Sequence, residues 1–139
     1  MKAPLYNEIL NICQEIANAS STENDELRLA SVKKLQILCA TNQNSPKDHP
    51  LQWEALADFT DDGEQAIDIY QVALATAEQL GLPTFIASSF LAMAQRYAEF
   101  EEQEKAQEFA EKANEAAKNS DSEELKLEIT DFLATLKQA

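Results

Sequence analysis

An all-α fold is predicted, on three observations. Ala, Glu, Leu and Gln, all strong helix formers, supply 66 of the 139 residues. Gly occurs twice, Pro four times and Val twice, too few for a turn-rich or β-branched strand architecture. Apolar residues recur at helical spacing between short polar punctuations. The length suits one domain.

Seven helices follow in order. The first is predicted from about Pro4 to Ala19, with Leu5, Ile9, Ile12, Cys13 and Ile16 inward and Pro4 at the helix start. SSTEND interrupts the pattern. The second runs from about Asp25 to Thr41. Its apolar face is broad: Leu27, Ala30, Leu35, Leu38 and Cys39, with Leu29, Val32 and Ile37 beside them. NQNSPKDHP, with Pro46 and Pro50, is the longest loop and the predicted hinge. The third helix covers about Leu51 to Phe59. In TDDG, Asp61 or Asp62 is placed to cap the fourth helix, Glu64 to Leu80. The stripe of that helix is Ala66, Tyr70, Ala73, Ala77 and Leu80. Gly81 ends it and Pro83 opens the next.

The fifth helix, about Thr84 to Phe100, is apolar nearly all round, the pattern of a helix buried between neighbours. The sixth, about Gln103 to Lys118, carries the small-residue stripe Ala106, Phe109, Ala110, Ala113 and Ala117. Its charged face offers Glu101–Lys105 and Glu108–Lys112 pairs, each worth roughly 0.2–0.5 kcal/mol. Ser120, with Glu123 three residues later, is the expected cap of the seventh helix, Glu123 to Gln138. Leu125, Ile129, Phe132, Leu133 and Leu136 are its inward set.

The formal net charge is -14, from 25 acids and 11 bases. Residues 1–50 contribute -1 and residues 51–139 contribute -13. Such a chain is not expected to bind nucleic acid, which requires cations against phosphate. An anionic membrane surface repels it as well. A basic partner is attracted and steered. No signal-peptide core follows Met1 and no apolar stretch is long enough to span a bilayer, so a cytoplasmic location is expected. Cys13 and Cys39 sit among apolar residues, as buried free thiols do, a disulfide between them being the alternative.

Catalytic and metal motifs are not found. His49, the single histidine, reads as a loop residue. DFTDDG begins like a calcium loop, but the twelfth position is Ile69 where a Glu is needed. Two Gly cannot build a phosphate cradle, and no nucleophile has an aligned base. Paired carboxylates such as Glu101–Glu102 read as solvated helix faces. No enzyme activity and no cofactor are expected.

An internal repeat is present. Ala66–Tyr70–Ala73 aligns with Ala106–Ala110–Ala113 at an offset of 40. Phe90-x-x-Met93-Ala94-x-x-Tyr97 matches Ile129-x-x-Phe132-Leu133-x-x-Leu136 at an offset of 39. Trp53-x-x-Leu56-Ala57-x-x-Thr60 stands upstream of the first stripe. Read as WEALADFT then AIDIYQVA, and FLAMAQRY then AQEFAEKA, the chain resembles the tetratricopeptide repeat (TPR) family in an extended, roughly 40-residue form. The family Gly is Ala here, and Ala110 stands at the aromatic position of the later pair.

The resemblance implies a right-handed α-solenoid of about seven antiparallel helices in one repeat domain. Residues 1–45 form a diverged N-terminal helix pair, 51–82 and 84–120 TPR-like pairs, and 123–138 a C-terminal capping helix. It also implies that the first helix of each pair lines a concave groove for a peptide. Carried over, the groove positions are Asp58, Leu91, Gln95, Ala98, Glu99, Thr130 and Ala134. The residues of the family's carboxylate clamp are not present. The expected function is therefore a non-catalytic interaction module for a basic or amphipathic protein segment. Alternatives are an acidic inhibitor or immunity protein masking a basic toxin or nuclease, a secretion-type chaperone, and a self-associating solenoid, a homodimer included.

Overall fold

The computed structural model describes residues 2–138, all-helical with no strand among them. The helices are α1 (Tyr6–Ser21), α2 (Asp25–Asn42), α3 (Pro50–Asp58), α4 (Gly63–Leu80), α5 (Pro83–Glu99), α6 (Gln103–Ala117) and α7 (Glu123–Lys137). Every helix limit lies within two residues of its predicted one. No described helix is long and apolar enough to cross a membrane. The chain divides into two compact units between Ile69 and Tyr70, inside α4.

In the first unit α1 packs on α2, α2 on α3, and α1 on α3. Ile9 and Ile16 of α1 are buried, as expected, and Ala19 is buried with them. Pro4 is not the start of the helix. The Tyr6 amide donates to the Ala3 carbonyl at 3.1 Å, which puts Pro4 at the second position of a turn that its fixed φ suits. At the other end Glu23 takes a left-handed φ of 55°. The Asn24 amide then closes on the Ala19 carbonyl at 2.8 Å. The same turn recurs at Gly81 (φ 66°) and at Glu101 (φ 63°). Only the first of these two carries the residue that adopts this φ at no steric cost.

The broad apolar face expected of α2 is corrected. Its buried set is Ser31, Leu35 and Cys39. Leu27, Leu29 and Ile37 are 45%, 63% and 57% exposed. A polar contact accompanies this rotation. The Ser31 hydroxyl donates to Glu15 Oε2 at 3.2 Å, and Lys34 Nζ lies 3.1 Å from the same oxygen. The Lys34 ammonium holds the Glu15 carboxyl below its usual range, against partial desolvation. Asn24 caps α2 by accepting from the Leu27 amide at 3.1 Å.

The segment expected as a hinge is tied down by Asp48. Its Oδ1 accepts from Trp53 Nε1 at 2.8 Å and from Gln52 Nε2 at 3.1 Å, and its Oδ2 accepts from the Asn44 amide at 2.8 Å. Pro50 occupies the first turn of α3, and His49 caps the helix, Nδ1 accepting from the Leu51 amide at 3.1 Å. Only a neutral imidazole can accept there. Burial holds the His49 pKa below its ordinary value, partly offset by the Asp48 carboxylate. The unfolded chain therefore takes up this proton first. Stability from this group is complete above about pH 6.5 and falls as the pH drops toward the lower folded-state value. We expect the urea midpoint to decline on acidification through that range. His49→Asn, which keeps an acceptor at every pH, should flatten the decline. An unchanged slope in the variant would rule out the cap as its source.

Before α4 the two aspartates divide the work. Asp61 pairs with Arg28 at 2.8 Å. Asp62 Oδ1 accepts from the Glu64 and Gln65 amides at 3.0 and 3.2 Å. The α4 stripe is buried at Ala66, Tyr70, Ala73 and Ala77, but Leu80, expected inward, is 49% exposed. It lies next to Gly81, where the helix already turns away.

In the second unit α5 packs on α6, and α7 packs on both. Ala87, Leu91, Ala113, Ala117 and Ile129 form its buried cluster, with Phe90, Leu125, Phe132 and Leu133 against it. Ala106, Ala110, Ala113 and Ala117 are buried as a continuous small stripe, which lets the α6 backbone come close to its neighbours. Phe109 meets Tyr97 edge-on at 5.1 Å between ring centroids. The expected Glu108–Lys112 pair is present at 3.4 Å, whereas Lys105 Nζ lies over the Tyr97 ring at 5.2 Å. The cap of α7 is Ser122, not Ser120. Ser122 Oγ accepts from the Leu125 amide, while Ser120 Oγ accepts from the Ser122 amide and meets Thr84 Oγ1 at 2.6 Å. Ser120 is thus spent on joining the start of α5 to the α6–α7 turn.

Candidate functional site

A cleft of about 350 Å³ opens between α1 and α3. Tyr6, Ile9, Leu10 and Cys13 line it from α1; Leu51, Glu54, Ala55 and Asp58 line it from α3; Phe59 closes one end. Both sets follow the i, i+3, i+4, i+7 spacing, so each is a single helix face. Ile9 and Ala55 are buried and form the floor, while Leu10 stays 42% exposed at the mouth. The lining is apolar apart from the Tyr6 hydroxyl, the Cys13 thiol and two carboxylates one turn apart, Glu54 and Asp58.

The electrostatics of the cleft are recorded in Cys13. Burial raises its thiol pKa, and the Asp58 carboxylate raises it further. The Asp58 carboxylate of α3 therefore acts on the Cys13 thiol of α1. Cys39 lies outside the cleft, buried, with Sγ donating to the Gln52 carbonyl at 3.3 Å and its pKa pushed up to about 12 by burial and by Asp48. Both cysteines are free thiols. Among the described residues no three His, Cys, Asp or Glu side chains gather as metal ligands. This arrangement is suited to holding an apolar side chain on its floor and a cation at its carboxylates.

The sequence-predicted positions separate. Asp58 lines the cleft in the first unit. The others belong to the second. Leu91 is 3% exposed inside the core cluster, so it packs α5 and presents nothing to a partner. Gln95 and Glu99 are exposed one turn apart on α5, with Glu99 3.8 Å from Arg96. Ala98 is half-buried between them. Thr130 and Ala134 are exposed on α7, and the Thr130 hydroxyl donates to the Lys126 carbonyl at 2.9 Å. Sequence reasoning missed the α1 wall and Glu54. The available signal was Leu10, apolar yet outside the inward set of its helix, one turn from Tyr6 and Cys13.

Comparison with family models, with curated proteins and with solved structures finds no match.

Proposed function

We propose that this chain is a non-catalytic protein–protein interaction module, a TPR-like adaptor whose α1–α3 cleft holds a basic or amphipathic segment of a partner. The observation that carries the reading is the pairing of an apolar floor with Glu54 and Asp58 in one cleft. In the TPR reading α1 and α3 are the first helices of successive antiparallel pairs in a right-handed solenoid, the helices that line the groove in that family. The internal repeat and the placement of Asp58 support it. A cytoplasmic setting belongs to the same reading.

A second reading rests on the -14 net charge: the chain masks a basic toxin or nuclease. It calls for binding spread over the acids of residues 51–139 rather than focused on the cleft.

A helical probe peptide of Leu and Lys, compared with its Leu and Glu counterpart, tests the adaptor reading. Cys13 is the reporter, since Cys39 is buried and inert. Saturating Leu/Lys peptide should slow alkylation of Cys13 severalfold, followed by mass spectrometry. Asp58→Lys combined with Glu54→Lys should weaken that peptide roughly tenfold, as two partly solvated charge contacts of about 0.5–1 kcal/mol each imply. Binding that leaves Cys13 fully reactive, or equal binding of both peptides, would overturn the cleft as the site. Binding lost with salt but indifferent to the double variant would favour the masking reading.

A further inference from the structure

Two helices present apolar side chains to solvent on faces opposite those they bury. On α2 the outward stripe runs Ala30, Lys33, Ile37, with Ile37 57% exposed and the other two exposed as well. On α7 it runs Leu127, Asp131, Ala134, with Leu127 62% exposed and the other two exposed. The spacings match in reverse order. From Ile37 back to Lys33 is four residues and on to Ala30 three; from Leu127 to Asp131 is four and on to Ala134 three. Each step is about one turn, roughly 4.5 to 6 Å along the axis.

Laid antiparallel, the stripes place Ile37 against Leu127, Lys33 against Asp131 and Ala30 against Ala134. An apolar pair, an ion pair and a small pair then stack over two turns, the geometry of close helix packing. The parallel alignment that also joins Lys33 to Asp131 opposes Glu26 with Glu124, a like-charge contact between exposed acids. Pairing α2 with α2 about this stripe sets Lys33 against Lys33, and pairing α7 with α7 sets Asp131 against Asp131. Among the pairings centred on Lys33 and Asp131, charge therefore favours the one in which the partner of α2 is α7.

We infer that α2 and α7 are the two halves of a head-to-tail contact between copies of this chain. The contact is heterologous, so it builds rings or open chains rather than a two-fold dimer. It is independent of the α1–α3 cleft reading, because neither stripe lines the cleft. Its modest extent places it among weak, transient contacts, with a dissociation constant on the order of 100 µM.

Sedimentation equilibrium of the intact chain, from about 10 µM to about 1 mM, brackets that constant. The weight-average mass should rise with concentration. Lys33→Asp and Asp131→Lys should each hold the protein at monomer mass, since like charges then face each other. An equimolar mixture of the two variants should associate again, because every contact between one variant and the other sets opposite charges face to face. Circular dichroism should show both variants folded, as the positions are exposed. A constant monomer mass for the unaltered chain overturns the inference. So does association that survives the single variants, which points to another face, or a mixture that stays monomeric.

Discussion

Asp48→Ala is expected to lower the stability of the native state by about 3 kcal/mol, the effect of stripping a carboxylate from several charge-assisted hydrogen bonds at once. Three donors converge on this side chain, from Trp53, Gln52 and Asn44. Two of them are side chains on the buried face of α3, so they cannot turn to water when the carboxylate goes. Gln52 is the critical one. Its side chain is fully buried, and its Oε1 already has no hydrogen-bond partner. Losing Asp48 removes the acceptor of its Nε2 as well. Asp48→Asn keeps a carbonyl oxygen for one donor and should cost about 1 kcal/mol, the value of an ordinary neutral bond. Trp53, the single tryptophan, reports the unfolding directly in urea titrations followed by its fluorescence. A change within about 0.5 kcal/mol for Asp48→Ala would show that the hub is replaced by water. In that case the α2–α3 segment is the hinge its prolines suggested.

The helices were legible because their ends are written in short-range chemistry. Gly81 followed by Pro83, and Asp62 ahead of Glu64 and Gln65, operate over one turn whatever the tertiary context. Which face each helix buries was legible only where hydrophobicity was one-sided. The α6 alanines left no choice, and α1 left little. On α2 every side carries Leu, Ile or Ala, so the pattern left the face open, and the Ser31–Glu15 contact found on the buried side spans 16 residues and has no sequence signature. The same limit applies to Ser120, which has good capping chemistry but is taken by Thr84, 36 residues away. The candidate site was half legible for a related reason. Repeat alignment reached Asp58 because α3 carries the motif. It could not reach Tyr6, Leu10 and Cys13, which lie outside the stretches that align with one another. Leu91 shows the same limit, since register alone cannot tell which α5 positions join the core cluster.

Ile129→Ala is expected to cost about 3 kcal/mol, within the range for truncating a fully buried aliphatic side chain. Two residues away, Leu127→Ala should change stability by less than about 0.5 kcal/mol. The two side chains are of nearly equal size and hydrophobicity, and composition alone ranks them together. The difference is rotation. Ile129 is 0% exposed, in contact with the cluster that Ala87, Leu91, Ala113 and Ala117 build from α5 and α6. Its truncation leaves a cavity in that cluster, whose alanines have no side chain long enough to fill it. Leu127 faces water and leaves nothing behind. Thermal and urea unfolding of the two variants measure this contrast. Equal losses would mean that α7 docks through a different face from the one described. The pair also separates folding from assembly. Ile129→Ala weakens the unit that presents the α7 stripe, whereas Leu127→Ala leaves that unit intact and removes only its apolar contact with the Ile37 of a neighbouring copy. Self-association that falls in the Leu127 variant at unchanged stability therefore reads the outward face of α7 alone.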